Sequence, residues 1–175
     1  MRKIILGLAV SLDGFIEGPN GEYDWCLTDQ DYGMSEFLAR FDSLFMGRKS
    51  YEQILSMGDV AMPDFPKLKE YVFSNTLNTV KKDYVLVRGD IADQVTRIKD
   101  EPGKDIWLWG GAGLTASLMN LGMVDEISLA VHPILLGSGK YLFSQLNHRI
   151  QLDLVDTKTY STGLVSLTYA VVNKK

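Results

Sequence analysis

The stretch Trp109-Gly110-Gly111-Ala112-Gly113-Leu114-Thr115-Ala116 decides how this chain folds. Ahead of it, Ile106 to Trp109 is a short apolar run, the pattern of a buried strand. Behind it, Leu114, Leu118 and Leu121 recur at helical spacing, and Gly122 supplies the stop. The glycines between them let the backbone turn sharply and leave no side chains to hold a ligand away. A strand that feeds a helix through such a turn is the unit from which α/β sheets are built.

The same alternation runs outward in both directions. Ile4 to Val10 is continuously apolar, as expected of a strand covered on both faces. Met34, Phe37, Leu38 and Phe41 fall at i, i+3, i+4 and i+7, which predicts one helix. Ser43 to Met46 is a short strand, and Tyr51, Ile54 and Leu55 predict a helix ending at Gly58. Tyr71 to Phe73 and Tyr84 to Val87 are strand-like. Asp90 is a helix cap for the stripe Ile91, Val95, Ile98, which Pro102-Gly103 breaks. Ile127 to Val131 is a further strand. The C-terminal part alternates with period two at Ile150, Leu152, Leu154 and again at Val165, Leu167, Tyr169, Val171, around Ser161-Thr162-Gly163. The expected architecture is α/β: a mostly parallel central sheet, helices on both faces and a C-terminal antiparallel hairpin, with 1–175 as a single domain. Ligands in such sheets bind beyond the carboxyl ends of the strands.

Four segments follow strands. Ser11-Leu12-Asp13-Gly14 carries the earliest carboxylate, a type that also serves as a plain turn residue. Met46-Gly47-Arg48-Lys49-Ser50 places two cations at a helix N-terminus, where the helix alone disfavours them and an anion is welcome. It is not a P-loop, because Asp42 stands where the first glycine should be. The Gly110–Leu114 turn has the outline of a dinucleotide fingerprint, yet it comes late, and the nearest acid, Asp125, precedes its strand. The fourth segment runs from His132-Pro133 through Leu136-Gly137-Ser138-Gly139-Lys140; His132 reads better as a strand-end residue satisfied by backbone than as an acid-base group.

Composition excludes several classes. The chain has 175 residues, 46% of them hydrophobic, and a net charge of −4, with a pI near 5.2. That balance argues against nucleic acid, whose phosphates demand a basic face. Two histidines and one cysteine give no zinc spacing, so no metal site is expected. Cys26 lies among Glu22, Tyr23, Asp24 and Trp25, poor surroundings for a thiolate. The N-terminus shows neither a signal peptide nor a membrane-length apolar run, so no membrane partner and a cytoplasmic location are expected.

Taken in order, these segments resemble the dihydrofolate-reductase-like fold. Met46-Gly47-Arg48-Lys49-Ser50-Tyr51 is similar to that family's Met-Gly-Arg-Lys-Thr-Trp motif, and Trp109-Gly110-Gly111-Ala112-Gly113 to its Ile-Gly-Gly-Gly turn with a cis Gly-Gly peptide. Within that fold, Ser11-Leu12-Asp13-Gly14 and Pro133-Ile134-Leu135-Leu136-Gly137-Ser138-Gly139 resemble the reductase domain of the bifunctional riboflavin-biosynthesis deaminase-reductase. The resemblance implies an NADPH-dependent reductase acting on a ribosylaminopyrimidine phosphate, and a homodimer is expected. The nicotinamide would lie near the backbone of Ala9 and Ile16, and the pyrophosphate on Gly111, Ala112, Gly113 and Leu114. The adenosine phosphate would lie near Arg48, Lys49, Ser50 and Ser74, and Gly47, Gly110 and Thr115 belong to the same set. Asp13 would be the catalytic group, with Phe15, Trp25 and Asp31 toward the substrate. Asn75 follows Ser74 where folate reductases often have arginine, which leaves the 2′-phosphate to Arg48 and Lys49, or to Arg88. With its single cysteine, this stretch of chain is not expected to supply the zinc ligands of the deaminase half. Two other readings remain open: a folate reductase that binds pterin through Asp29 or Asp31, and a nucleotide-binding protein without turnover.

Overall fold

The computed structural model describes residues 1–57 and 66–172. Five parallel contacts join strands β1 (Ile4–Ser11), β3 (Phe41–Gly47), β4 (Lys69–Phe73), β5 (Tyr84–Val87), β6 (Asp105–Gly110) and β7 (Glu126–His132). Two antiparallel contacts then add β10 (Val165–Val172) beside β7 and β9 (Gln151–Thr159) at the edge. The order across this eight-stranded sheet is β5-β4-β3-β6-β1-β7-β10-β9. A separate two-stranded ribbon pairs β2 (Phe15–Glu17) with β8 (Lys140–Tyr141); nothing in the sequence pattern had suggested it.

Helices cover both faces. On one side, α3 (Ile91–Asp100) and α4 (Ala112–Asn120) contribute Val95, Ile98, Leu114, Leu118 and Met119 to a core that includes Ile4, Leu6, Phe45 and Leu108. On the other, α1 (Met34–Leu38) and α2 (Arg48–Met57) bring Leu38 and Tyr51 onto Ile5, Leu44, Met46 and Trp107. Each such side chain, fully withdrawn from water, is worth about 1.5–3 kcal/mol. The Asp90 cap is formed: its carboxylate accepts the Asp93 N–H at 3.0 Å. The Gly58 stop lies outside the described residues.

One sequence expectation fails locally. The Phe37–Phe41 spacing predicts a helix through Phe41, but α1 ends at Leu38 and Phe41 opens β3. The two rings still meet, with centroids 4.8 Å apart. The turn at Ala39-Arg40 brings them together as a continued helix would, while Phe41 enters the parallel ladder opposite Asp105. Ladder hydrogen bonds and burial outweigh helix periodicity over so short a segment.

The sheet order fixes where a ligand can sit. From β3 the chain moves outward, through α2 on one face, to β4 and β5. From β6 it moves the opposite way, through α4 on the other face, to β7. β3 and β6 are hydrogen-bonded neighbours, with Met46 opposite Gly110. Their carboxyl ends therefore flank a switch point, and a crevice opens there by topology alone.

Candidate functional site

The crevice is a cleft of about 550 Å³, a volume typical of small-molecule sites. Gly47, Arg48, Lys49 and Ser50 form one wall, Gly111 to Leu114 the other, and Ser74 closes one end. Nine of the residues expected to hold a cofactor thus converge, although they come from three separate strand ends. Gly110 and Thr115 lie just behind the wall: Gly110 is buried at the end of β6, and Thr115 is fully buried, its N–H donating to the Gly111 carbonyl at 3.0 Å. The Gly110-Gly111 peptide is cis.

The sequence builds this wall with small residues for a reason visible in space. A methyl group placed on Gly111 would lie 3.4 Å from Ser50 Oγ and 3.9 Å from Lys140 Nζ. The point beside Gly111 is therefore bordered by polar and cationic groups. One on Gly113 would meet nothing within 4 Å among the described residues, so the backbone there faces the cleft. The first N–H groups of α4 have no acceptor within the helix, and Gly111, at its cap position, offers no side-chain acceptor either.

Charge in the cleft is one-sided. Among the described residues, Arg48, Lys49 and Lys140 line it and no carboxylate does, in a chain whose net charge is −4. Two helix N-termini, those of α2 and α4, open into it; both favour anions. Arg48 is steadied from outside, its Nε 3.7 Å from Glu52 and its NH1 donating to Thr76 Oγ1 at 3.3 Å. Ser74 Oγ accepts the N–H groups of Thr76 and Leu77 at 3.2 and 3.1 Å, which shapes the turn after β4. Arg88 does not line the cleft; it donates to the Asn75 carbonyl at 3.1 Å and braces this turn. A pyrophosphate beside Gly111 and a terminal phosphate near Arg48 and Lys49 fit this donor set.

The residues expected on the substrate side lie elsewhere, around the ends of β1 and β7. Asp13 Oδ1 accepts from Ser11 Oγ at 2.7 Å and the Leu136 N–H at 3.1 Å; Oδ2 accepts the Gly137 N–H at 2.8 Å. The Ser11 hydroxyl, with the Gly137 and Leu136 amides, holds the carboxyl below its usual range against the opposing pull of desolvation. Phe15 is buried and stacks on Tyr141, with centroids 4.2 Å apart. Trp25 packs edge-on against His132 at 5.3 Å. His132 meets the expected backbone partner through one ring nitrogen, its Nδ1 2.9 Å from the Ala130 carbonyl, while its Nε2 is buried without a hydrogen-bond partner among the described residues. Asp31 accepts the Ser35 N–H and hydroxyl at the start of α1, so it does the work of a helix cap. Ala9 is half-buried in β1 opposite Ala130, and Ile16 sits in β2. None of these seven lines the cleft. Burial pushes the Cys26 thiol up to about 11, with the Asp24 charge adding, so it stays protonated at neutral pH.

Sequence reasoning missed an apolar floor and a cation. Phe73, Val87 and Ile91 line the cleft beside Ser74. They read as ordinary core because each belongs to an apolar strand or helix stripe. Lys140 ends the run Leu136-Gly137-Ser138-Gly139-Lys140, and glycines followed by lysine after a strand are the available signal for it.

A family model described as the RibD C-terminal domain matches residues 2–166. The uncharacterized Bacillus subtilis protein YyaP is 45% identical over 96% of this chain and 94% of its own length. A Shewanella sp. PV-4 protein named for riboflavin biosynthesis superposes with a TM-score of 0.87 at 26% identity, covering 98% of this chain and all of that one (100%). Dihydrofolate reductase of Enterococcus faecalis, solved with NADP(H), superposes with a TM-score of 0.71 at 16% identity over 98% of this chain and 97% of that one, a likeness of fold.

Proposed function

The chain belongs to the RibD C-terminal domain family, and on that premise we propose that it is an NADPH-dependent reductase of the type that reduces 5-amino-6-(5-phosphoribosylamino)uracil. The observation that carries this reading is the cleft itself: among the described residues it is lined by three cations and no carboxylate, with two helix N-termini at one switch point. Few small molecules other than a dinucleotide need both a pyrophosphate seat and a separate phosphate seat. The solved Enterococcus reductase with NADP(H) shares the fold and supports the choice of cofactor.

Bound NADPH would supply a hydride to a C=N or C=O carbon of the substrate. The chain's share is to hold and orient. Gly111 to Leu114 present N–H groups to the pyrophosphate, and Arg48 and Lys49 take the 2′-phosphate, with Ser50 and Ser74 beside them. The strand ends at Ala9 and Ile16 would border the nicotinamide. Asp13 stays ionised, so it acts as an acceptor for a substrate hydroxyl or as a relay that takes up a proton, not as a standing acid. A carboxylate has about four acceptor sites, and three are occupied in this structure. Trp25 and Asp31 would bound the substrate side, with Phe15 backing it through Tyr141.

The test is cofactor oxidation with two substrates offered separately: the aminopyrimidine phosphate and dihydrofolate. Turnover of the first and not the second supports the reading. Turnover of dihydrofolate alone would assign the chain to folate reduction, and binding without any turnover would make it a nucleotide-binding protein.

A further inference from the structure

We infer that Lys140 is a pyrophosphate-contacting residue, which serves NADPH and NADH alike and is delivered to the cleft by the β2–β8 ribbon; the inference rests on the cofactor reading above. Its ammonium lines the cleft and lies 3.9 Å from the point a Gly111 methyl would occupy. Ser50 Oγ lies 3.4 Å from the same point. A lysine from the β7–β9 connection, a serine from α2 and the cap of α4 therefore converge on one small space. Arg48 and Lys49 sit on the α2 side of it, which leaves Lys140 as the cation nearest the α4 cap.

The lysine does not reach this place on a loose loop. Asp13 takes the Leu136 and Gly137 amides, and the Leu142 N–H donates to the Gly14 carbonyl at 3.0 Å. Gly139 has φ +142°, and any side chain there would collide with the Glu17 carbonyl, so only glycine lets β8 close on β2. Phe15 and Tyr141 stack across the ribbon. Lys140 Nζ is 3.4 Å from Glu17 Oε1, and Glu17 does not line the cleft. An ammonium has three donors, so it can keep Glu17 and still bond a phosphate oxygen. Glu17 thus anchors the lysine from behind at the cleft wall.

The experiment is calorimetric titration of the wild type and Lys140→Met with four probes: NADPH, NADH, ADP-ribose and adenosine 2′-phosphate. ADP-ribose carries the pyrophosphate without the nicotinamide, and adenosine 2′-phosphate carries only the other phosphate. One charge-assisted hydrogen bond corresponds to about a tenfold change in affinity or more. Lys140→Met is expected to weaken NADPH, NADH and ADP-ribose by about that factor and to leave adenosine 2′-phosphate unchanged. Lys140→Arg should retain most of the affinity. The pair Glu17→Gln with Lys140→Met should show the same loss, which excludes an unpaired Glu17 as its cause. Unchanged ADP-ribose affinity in the variant, or a loss confined to NADPH and adenosine 2′-phosphate, would overturn the assignment of Lys140 while leaving the cofactor reading intact. A wild type that binds neither NADPH nor NADH would overturn both.

Discussion

Gly137 donates its backbone N–H to Asp13 Oδ2 at 2.8 Å, a bond between residues 124 positions apart. With the Leu136 amide on Oδ1, it ties the loop after β1 to the loop after β7. These loops lead directly into β2 and β8, so one carboxylate organises the ribbon that borders the cleft. Asp13→Asn keeps the shape but weakens both bonds, and a lower melting temperature is expected. The pH dependence follows from sign. The folded carboxyl titrates below the ordinary aspartate range, so its contribution is present above the unfolded pKa and is lost as pH falls through the folded one. The melting gap between wild type and Asp13→Asn should be full at about pH 7 and narrow below about pH 4. A gap that stays constant across that range would contradict this account of the loop.

Gly111 and Gly110 separate cofactor binding from folding. Gly111 has φ −65°, which any residue can adopt. Its glycine is needed for the space a side chain would fill. Gly111→Val should therefore fold, with an unchanged far-ultraviolet circular dichroism spectrum, and lose affinity for NADPH by about a hundredfold or more, as expected when a pyrophosphate forfeits several charge-assisted bonds. Gly110 has φ +109°, where an L side chain is strained. Gly110→Ala should lower the melting temperature, and that cost should appear without ligand. Gly111→Val with native affinity would remove the pyrophosphate from this turn.

The preference between nicotinamide cofactors should rest on Arg48 and Lys49. Both are exposed at the cleft rim, and only NADPH has the third phosphate. Arg48→Ala or Lys49→Ala should weaken NADPH roughly tenfold each and barely affect NADH. The loss should shrink at high salt, because exposed charges are screened. Titrations of both cofactors at two salt concentrations check this. Equal losses for both cofactors would place these side chains on the pyrophosphate.

Much of this was legible in the sequence, for identifiable reasons. The central strands are short apolar runs ended by glycine or polar residues, and burial on both faces forces that pattern. The α4 turn was readable because Gly110, Gly111 and Gly113 have no reason to cluster unless backbone must come close to something. The β2–β8 ribbon was not readable. Its strands are three and two residues long, and they pair only because Asp13 and Gly139 bring distant loops together. Phe41 misled because its contact with Phe37 is real, though made by a turn and a strand. The substrate side was the least legible part: Phe15, Asp13 and Asp31 each have a local partner that explains their type. Periodicity cannot separate such partners from a ligand.

The central claim is that the cleft between the β3 and β6 ends holds NADPH. Isothermal titration of the unmodified chain with NADPH, paired with its melting temperature at rising NADPH, tests it most directly. The account predicts saturable binding, tighter for NADPH than for NADH. It also predicts a melting temperature that climbs with ligand, corresponding to about 2.7 kcal/mol of stabilisation at a hundredfold excess over Kd. No heat and no melting shift at millimolar concentrations of either cofactor would contradict it.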